Sequence, residues 1–176
     1  QYYSRITTHN INTGKREISE NFEPFSTLSL EIPNLEDSDL NIYNCLDNFS
    51  KNEELDTDNK NINKFKECLF WSLPDIFIIL FKRFDNSGNK INTCINFPLK
   101  DLSFQNYIKG YPKEREKKYD LYAVSNHSGN TMGGHYFSYV KNKDNNWYKY
   151  NDNIVSSMSE EEVVSSFAYC LFYAKK

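Results

Sequence analysis

The chain has 176 residues, 39% of them hydrophobic, and a formal net charge of −3, enough for one domain with a substantial core or for part of a larger one. Its 21 basic and 24 acidic side chains are interspersed, which offers no basic face to nucleic acid, and the longest apolar run, Ile76 to Phe81, is too short to span a bilayer. An aromatic content of 16%, mostly Tyr and Phe, suits a β-rich fold.

The chain opens on Gln1 with no signal-peptide pattern, so a preceding segment is expected. The stretch to Glu23 is polar and reads as weakly structured or as an edge hairpin. "FSTLSLEIP" alternates Leu28, Leu30 and Ile32 on one face, a half-buried strand stopped by Pro33. In "EDSDLNIYNCLDNFS" Asp37 or Ser38 is the expected N-cap of a helix carrying Ile42, Leu46 and Phe49 at helical spacing. Lys51 to Lys64 reads as a charged loop. "PDIFIILFKRF" predicts a strand buried on both faces near the centre of a sheet. "KINTCINFPL" predicts another, entered through a turn at Asn86-Ser87-Gly88-Asn89.

"GYPKEREKK" reads as a solvated loop. "YDLYAVSNHSG", "HYFSYVKN" and "NNWYKYNDN" alternate as strands, with Gly and Asn between the first two. "SMSEEEVVSS" contains a capping box, Ser159 with Glu162, and "AYCLFYAK" closes the chain as a strand. About six strands and two or three short helices result: an α+β protein dominated by an antiparallel sheet. Four cysteines, Cys45, Cys68, Cys94 and Cys170, form no C-x-x-C pair and lie among apolar neighbours, as buried free thiols do. They point to a reducing, intracellular setting and away from structural zinc.

Histidine is scarce. His9 reads as a solvated loop residue. His127, in "SNHSGN", could orient a group in a cleft or simply pack. His135 follows Gly133-Gly134, whose backbone freedom suits close approach of another chain, and stands at the rim of a strand. An imidazole there can take and return a proton near neutral pH; the alternative is a hairpin histidine bonded to a carbonyl. Sixteen residues later, across a plausible hairpin, Asn151 or Asp152 could fix its tautomer, as an Asn amide does in papain-type enzymes; an Asx turn is the alternative for "NDN". A thiol nucleophile ahead of His135 in the chain could be Cys45, Cys68 or Cys94, but none has a suitable local context.

"LPDIFIILFKRF", "FPL", "YDLYAVSNHSGNTMGGHYFSYVKN", "WYKYNDN", "VSSMSEEEV" and "AYCLFY", in this order, resemble the ubiquitin-specific proteases, which are papain-like cysteine deubiquitinases built of thumb, palm and fingers. The likeness runs from about "ENFEPFSTLSLEI" onward. It implies an antiparallel-sheet palm with β fingers, roughly residues 71–176 and 1–70, with the thumb subdomain largely missing. It implies His135 as catalytic base and Asn151 as its orienter, with Asp152 at a supporting polar position. An amide at 151 leaves an imidazolium less stabilised than a carboxylate would.

The same likeness places Gly133, Gly134 and Tyr136 in a narrow channel for the glycine tail of ubiquitin. It places His127 and its loop over that tail, and leaves Trp147 packing the hairpin. The family's Gly-Asn-Thr-Cys box is absent, so a nucleophile is expected upstream. Positions where the fingers can carry zinc-binding C-x-x-C pairs read "TGKR" (Thr13 to Arg16) and "INKF" (Ile62 to Phe65), and no metal or other cofactor is expected. The implied function is hydrolysis of the bond after ubiquitin's last glycine, in the cytoplasm or nucleus, with ubiquitin, ubiquitinated proteins and the missing thumb as partners. A non-catalytic ubiquitin-binding module, or a protease for a ubiquitin-like modifier, is the alternative.

Overall fold

A computed structural model describes residues 1–34 and 40–176. In chain order the strands are β1 (Tyr2–Asn10), β2 (Arg16–Glu23), β3 (Thr27–Glu31), β4 (Glu53–Leu55), β5 (Ile62–Phe70), β6 (Ile76–Lys82), β7 (Leu102–Ser103), β8 (Lys118–Asn130), β9 (Gly133–Lys141), β10 (Trp147–Asn151), β11 (Ile154–Met158) and β12 (Ala168–Lys175); the helix α1 spans Ile42–Ser50. They form two sheets. One is antiparallel, in the order β2-β1-β5-β4. The other runs β11-β10-β9-β8-β12-β6-β3 with β7 paired to β8, and among the described strands only β3 lies parallel to its neighbour.

The polar opening is a hairpin, because the Asn10 side chain caps its turn by accepting from the Asn12 and Thr13 amides and Gly14 takes a positive φ. Only β2 is an edge. β1 is interior, and His9 sits in it opposite Arg16 and Asn63, so it is a strand residue and not a loop one. The same pairings bring the "TGKR" and "INKF" positions to one end of this sheet, on either side of β1.

The expected caps Asp37 and Ser38 lie outside the described residues. The N-cap of α1 is Asn41, whose side chain accepts from Tyr43 and Asn44 while Asn44 answers the Asn41 amide. The expected loop from Lys51 to Lys64 contains β4, a short charged edge strand of the kind that discourages further pairing. Strand β6 stands next to the edge and not at the centre. It buries Phe77, Ile79 and Phe81, which leaves Ile76 exposed and Ile78 and Leu80 half-buried.

The predicted strand from Lys90 to Leu99 is not one, and Arg83 is the reason. This guanidinium is fully buried; its Nε donates to the Ala168 carbonyl at 2.6 Å, and its Nη1 to the Ile91 and Thr93 carbonyls at 2.9 Å each. Carbonyls that a sheet ladder would use are taken by a side chain. "GYPKEREKK" is likewise ordered, as a 3-10 turn at Pro112–Glu116. Its buried Glu114 accepts from the Leu73 amide at 2.7 Å and from Lys117 at 2.8 Å. The exposed β11, rich in serine, was not expected; the capping box of Ser159 and Glu162 was, and it is present.

The core is strongly aromatic. Phe77 stacks on Phe104 at 4.5 Å, and Phe70 meets both edge-on at 5.7 and 5.4 Å. Such pairs add to area burial only in offset or edge-to-face geometry, and both kinds are present. This cluster anchors the base of the larger sheet, from which β8 projects His127 and β9 projects His135.

Candidate active site

Antiparallel pairing decides which side chains can meet. Residues directly opposite one another share a face, and alternate residues change face. In the β8–β9 ladder His127 is opposite Tyr136, and Ser128 is opposite His135. The two histidines therefore project from opposite faces of one sheet. His135 shares its face with Asn126, Phe137, Tyr139, Trp147 and Lys149, and Asn151 joins them one step beyond the Tyr150–Ser138 pair.

On that face the His135 Nε2 meets the Asn151 Oδ1 in a short contact. Only with the proton on Nε2 can the ring donate to this oxygen, so Nδ1 is the nitrogen left to exchange a proton with another group. Asp152 follows at the turn into β11, with φ of 52°, and brings its Oδ2 to 3.9 Å from the same nitrogen. The imidazole is half exposed. A neutral amide close in and a solvated carboxylate farther out orient the ring without burying a charge.

On the opposite face His127 is 4% exposed and sits among Tyr136 at 4.7 Å, Phe84 at 5.7 Å and Tyr169 at 5.9 Å between ring centres. It is a strand residue and not part of a covering loop. Burial holds its pKa below the ordinary 6.5, and the nearby Lys90 cation adds to this. Among the described residues its Nδ1 has no hydrogen-bond partner. Its backbone is pinned twice, with its amide donating to Phe167 at 2.9 Å and its carbonyl accepting Lys90 Nζ at 2.5 Å.

This packing accounts for one glycine of the pair. A Cβ on Gly134 would lie 2.2 Å from His127 Nε2 and 2.7 Å from the Ser128 carbonyl, whereas a Cβ on Gly133 would meet nothing within 4 Å. Gly134 is bare because His127 fills the space. The hairpin tip is tied by Asn130 Oδ1, which accepts from the Met132 and Gly133 amides, and by Thr131 Oγ1, which donates to the Gly88 carbonyl. Tyr136 is exposed and Trp147 is buried.

No cysteine is poised for activation beside this pair. Cys45 is buried in α1 and Cys170 lies on β12, opposite Ser125 on the His127 face; burial pushes each thiol up to about 11. Cys68, on the smaller sheet, is also raised by burial. A thiol so shifted is protonated at neutral pH and is a poor nucleophile. Cys94 is exposed, contrary to the sequence expectation. Sequence reasoning found His135 and Asn151 but missed Phe84, Lys90 and Tyr169 around His127; only the tertiary pairing brings these together.

The model of the ubiquitin carboxyl-terminal hydrolase family matches residues 4–173. The chain belongs to this family. Among curated members, ubiquitin carboxyl-terminal hydrolase 2 of Gallus gallus is 38% identical over 164 residues, 86% of this chain and 45% of that protein. Ubiquitin carboxyl-terminal hydrolase 9 of Arabidopsis thaliana is 39% identical over 148 residues, 77% of this chain and 16% of that protein. The Ubp8/Sgf11/Sus1/Sgf73 module of SAGA, solved bound to monoubiquitin, superposes with a TM-score of 0.80 at 28% identity, over 99% of this chain and 40% of that one. The same module bound to ubiquitin aldehyde gives 0.78 at 30% identity over 99% and 41%. The chain thus spans less than half the length of these hydrolase relatives, and its fold is that of a papain-like ubiquitin-specific protease.

Proposed function

We propose that the protein containing this chain is a thiol-dependent deubiquitinase, that His135 is its base and that Asn151 orients it. The observation carrying this reading is the His135–Asn151 contact, which occupies Nε2 and leaves Nδ1 without a partner among the described residues. A thiol supplied from outside this chain gives its proton to Nδ1 and attacks the carbonyl of ubiquitin's last glycine. The same nitrogen then protonates the leaving amine, and the acyl-enzyme is hydrolysed by water activated in the same way. Asn151 keeps the proton on Nε2 throughout, and Asp152 adds charge complementarity when the ring is cationic. Gly133, exposed on the His135 face, and Tyr136, exposed on the other face of the same strand, are assigned to the ubiquitin tail. The smaller sheet is assigned to the fingers and the larger to the palm, with β3 and α1 counted in the palm although they fall within residues 1–70. The solved relatives bound to monoubiquitin and to ubiquitin aldehyde support ubiquitin as the ligand.

The test uses ubiquitin bearing a C-terminal electrophile. The 176-residue chain binds ubiquitin but is not labelled, and a longer form carrying a Gly-Asn-Thr-Cys segment is labelled and loses turnover on His135→Ala with ubiquitin binding retained. Labelling of Cys45, or turnover surviving His135→Ala, overturns the assignment.

A further inference from the structure

One hydrogen bond cannot hold an imidazole. The contact to Asn151 fixes a direction at Nε2 and leaves the ring free to turn about that axis. The plane needs a second constraint, and β9 supplies it two residues on. The Phe137 ring lies 6.4 Å from the His135 ring, with an angle of 19° between their planes. Phe137 is itself held on three sides. Tyr139 and Phe167 meet it edge-on at 5.6 and 5.7 Å, and the Lys149 ammonium stands 4.8 Å over its ring centre.

Lys149 precedes Asn151 by two residues and is opposite Tyr139, so it shares the Asn151 face. The four side chains make a slanted set: β9 gives His135 and Phe137, β10 gives Asn151 and Lys149, and each contact runs diagonally between the strands. Asn151 touches the first of the β9 pair, and Lys149 covers the second. An aromatic ring next to an imidazole favours near-parallel offset stacking, and a cation over the ring's face resists its tilting away.

We propose that Phe137, capped by Lys149, is a positioning residue that sets the plane of the His135 imidazole and so the direction of its free Nδ1. Its catalytic meaning rests on the base-and-orienter reading above, but its geometric content does not. With Phe137 in place the ring presents one nitrogen to Asn151 and the other to the approaching group. Without it the ring swings about the Asn151 bond and that bond opens more often.

The experiment follows the His135 Nε2 proton by NMR in the 176-residue chain, identified by its loss in His135→Gln. Only three histidines compete for assignment. In the unaltered chain this proton is protected by Asn151. Phe137→Leu speeds its exchange with solvent about three- to tenfold, the effect of losing one stacked pair. Lys149→Met speeds it about two- to fivefold, and Phe137→Tyr restores the original rate. A Phe137→Leu variant that folds and exchanges at the original rate overturns the proposal, as does an unprotected proton in the unaltered chain. If Phe137→Leu does not fold, the half-exposed Lys149→Met decides, and an unchanged rate there overturns it. Failure to bind ubiquitin would refute the functional reading and leave this result standing.

Discussion

His127 and His135 are eight residues apart on one hairpin, and almost everything about them differs. His127 is buried under three aromatic rings and occupies the space that Gly134 lacks. His135 is half exposed, with one nitrogen tied and the other free. One face of the hairpin spends its histidine on packing, which fills the space beside Gly134. The other presents a group able to move a proton. Functional groups held on regular elements are placed more accurately than those on loops, and here the scaffold for one histidine is the other.

The contrast can be broken most severely at Gly134. Gly134→Ala puts a methyl against the His127 ring and the Ser128 carbonyl, and overpacking of this kind is expected to cost about 1–3 kcal/mol, read as a drop in the urea midpoint. Gly133→Ala, with open space at its Cβ, should stay within about 0.5 kcal/mol; equal costs at the two glycines would show that His127 does not dictate Gly134. Next in size is His127→Ala. It empties a buried site and should cost about 2 kcal/mol, whereas His135→Ala should cost less than about 0.5 kcal/mol. Reversal of that order would mean that the roles of the two faces are exchanged.

The smallest effect is in the pH dependence. Because the folded His127 has a pKa below 6.5, the unfolded chain binds the extra proton as pH falls through 6.5, so stability declines toward acid and is undiminished by this group above 7. His127→Phe keeps the packing and removes the proton site. Its stability should fall less steeply between pH 7 and 5 than that of the unaltered chain in parallel denaturation series. An unchanged slope would show that His127 does not titrate differently on folding.

Much of this was legible because alternation is a local signal. β8, β9, β10 and β12 follow from it, and so does the pairing of His135 with Asn151, since a short hairpin leaves few registers. Several Asp, Ser and Asn residues compete for the cap of α1, and no local pattern singles out Asn41, whose box with Asn44 closes. The stretch from Lys90 to Leu99 has the composition of a strand, but no local pattern reveals that Arg83 will claim its carbonyls. Strand β11 was missed because its four exposed residues carry no amphipathic alternation. The burial of His127 depends on Phe84 and Tyr169, which lie 43 and 42 positions away in the chain (127 − 84 and 169 − 127), beyond the reach of periodicity.

The Arg83 clamp also bears on the order of folding. Its bond to the Ala168 carbonyl joins residues 85 apart, and its charge faces carbonyl dipoles and the Phe81 ring, 5.7 Å away. Contacts of such separation form late, after the entropy of closing the loop has been met. Until β12 docks, the guanidinium lacks the Ala168 carbonyl, and the 90–99 segment is held by the backbone bonds of Asn96 to Leu40 and Ile42 and of Ile91 to Arg83. Docking of the final strand should therefore fix Arg83 and, through it, the Ile91 and Thr93 carbonyls, so that protection from proteolysis at Thr93 rises when the chain's last strand arrives.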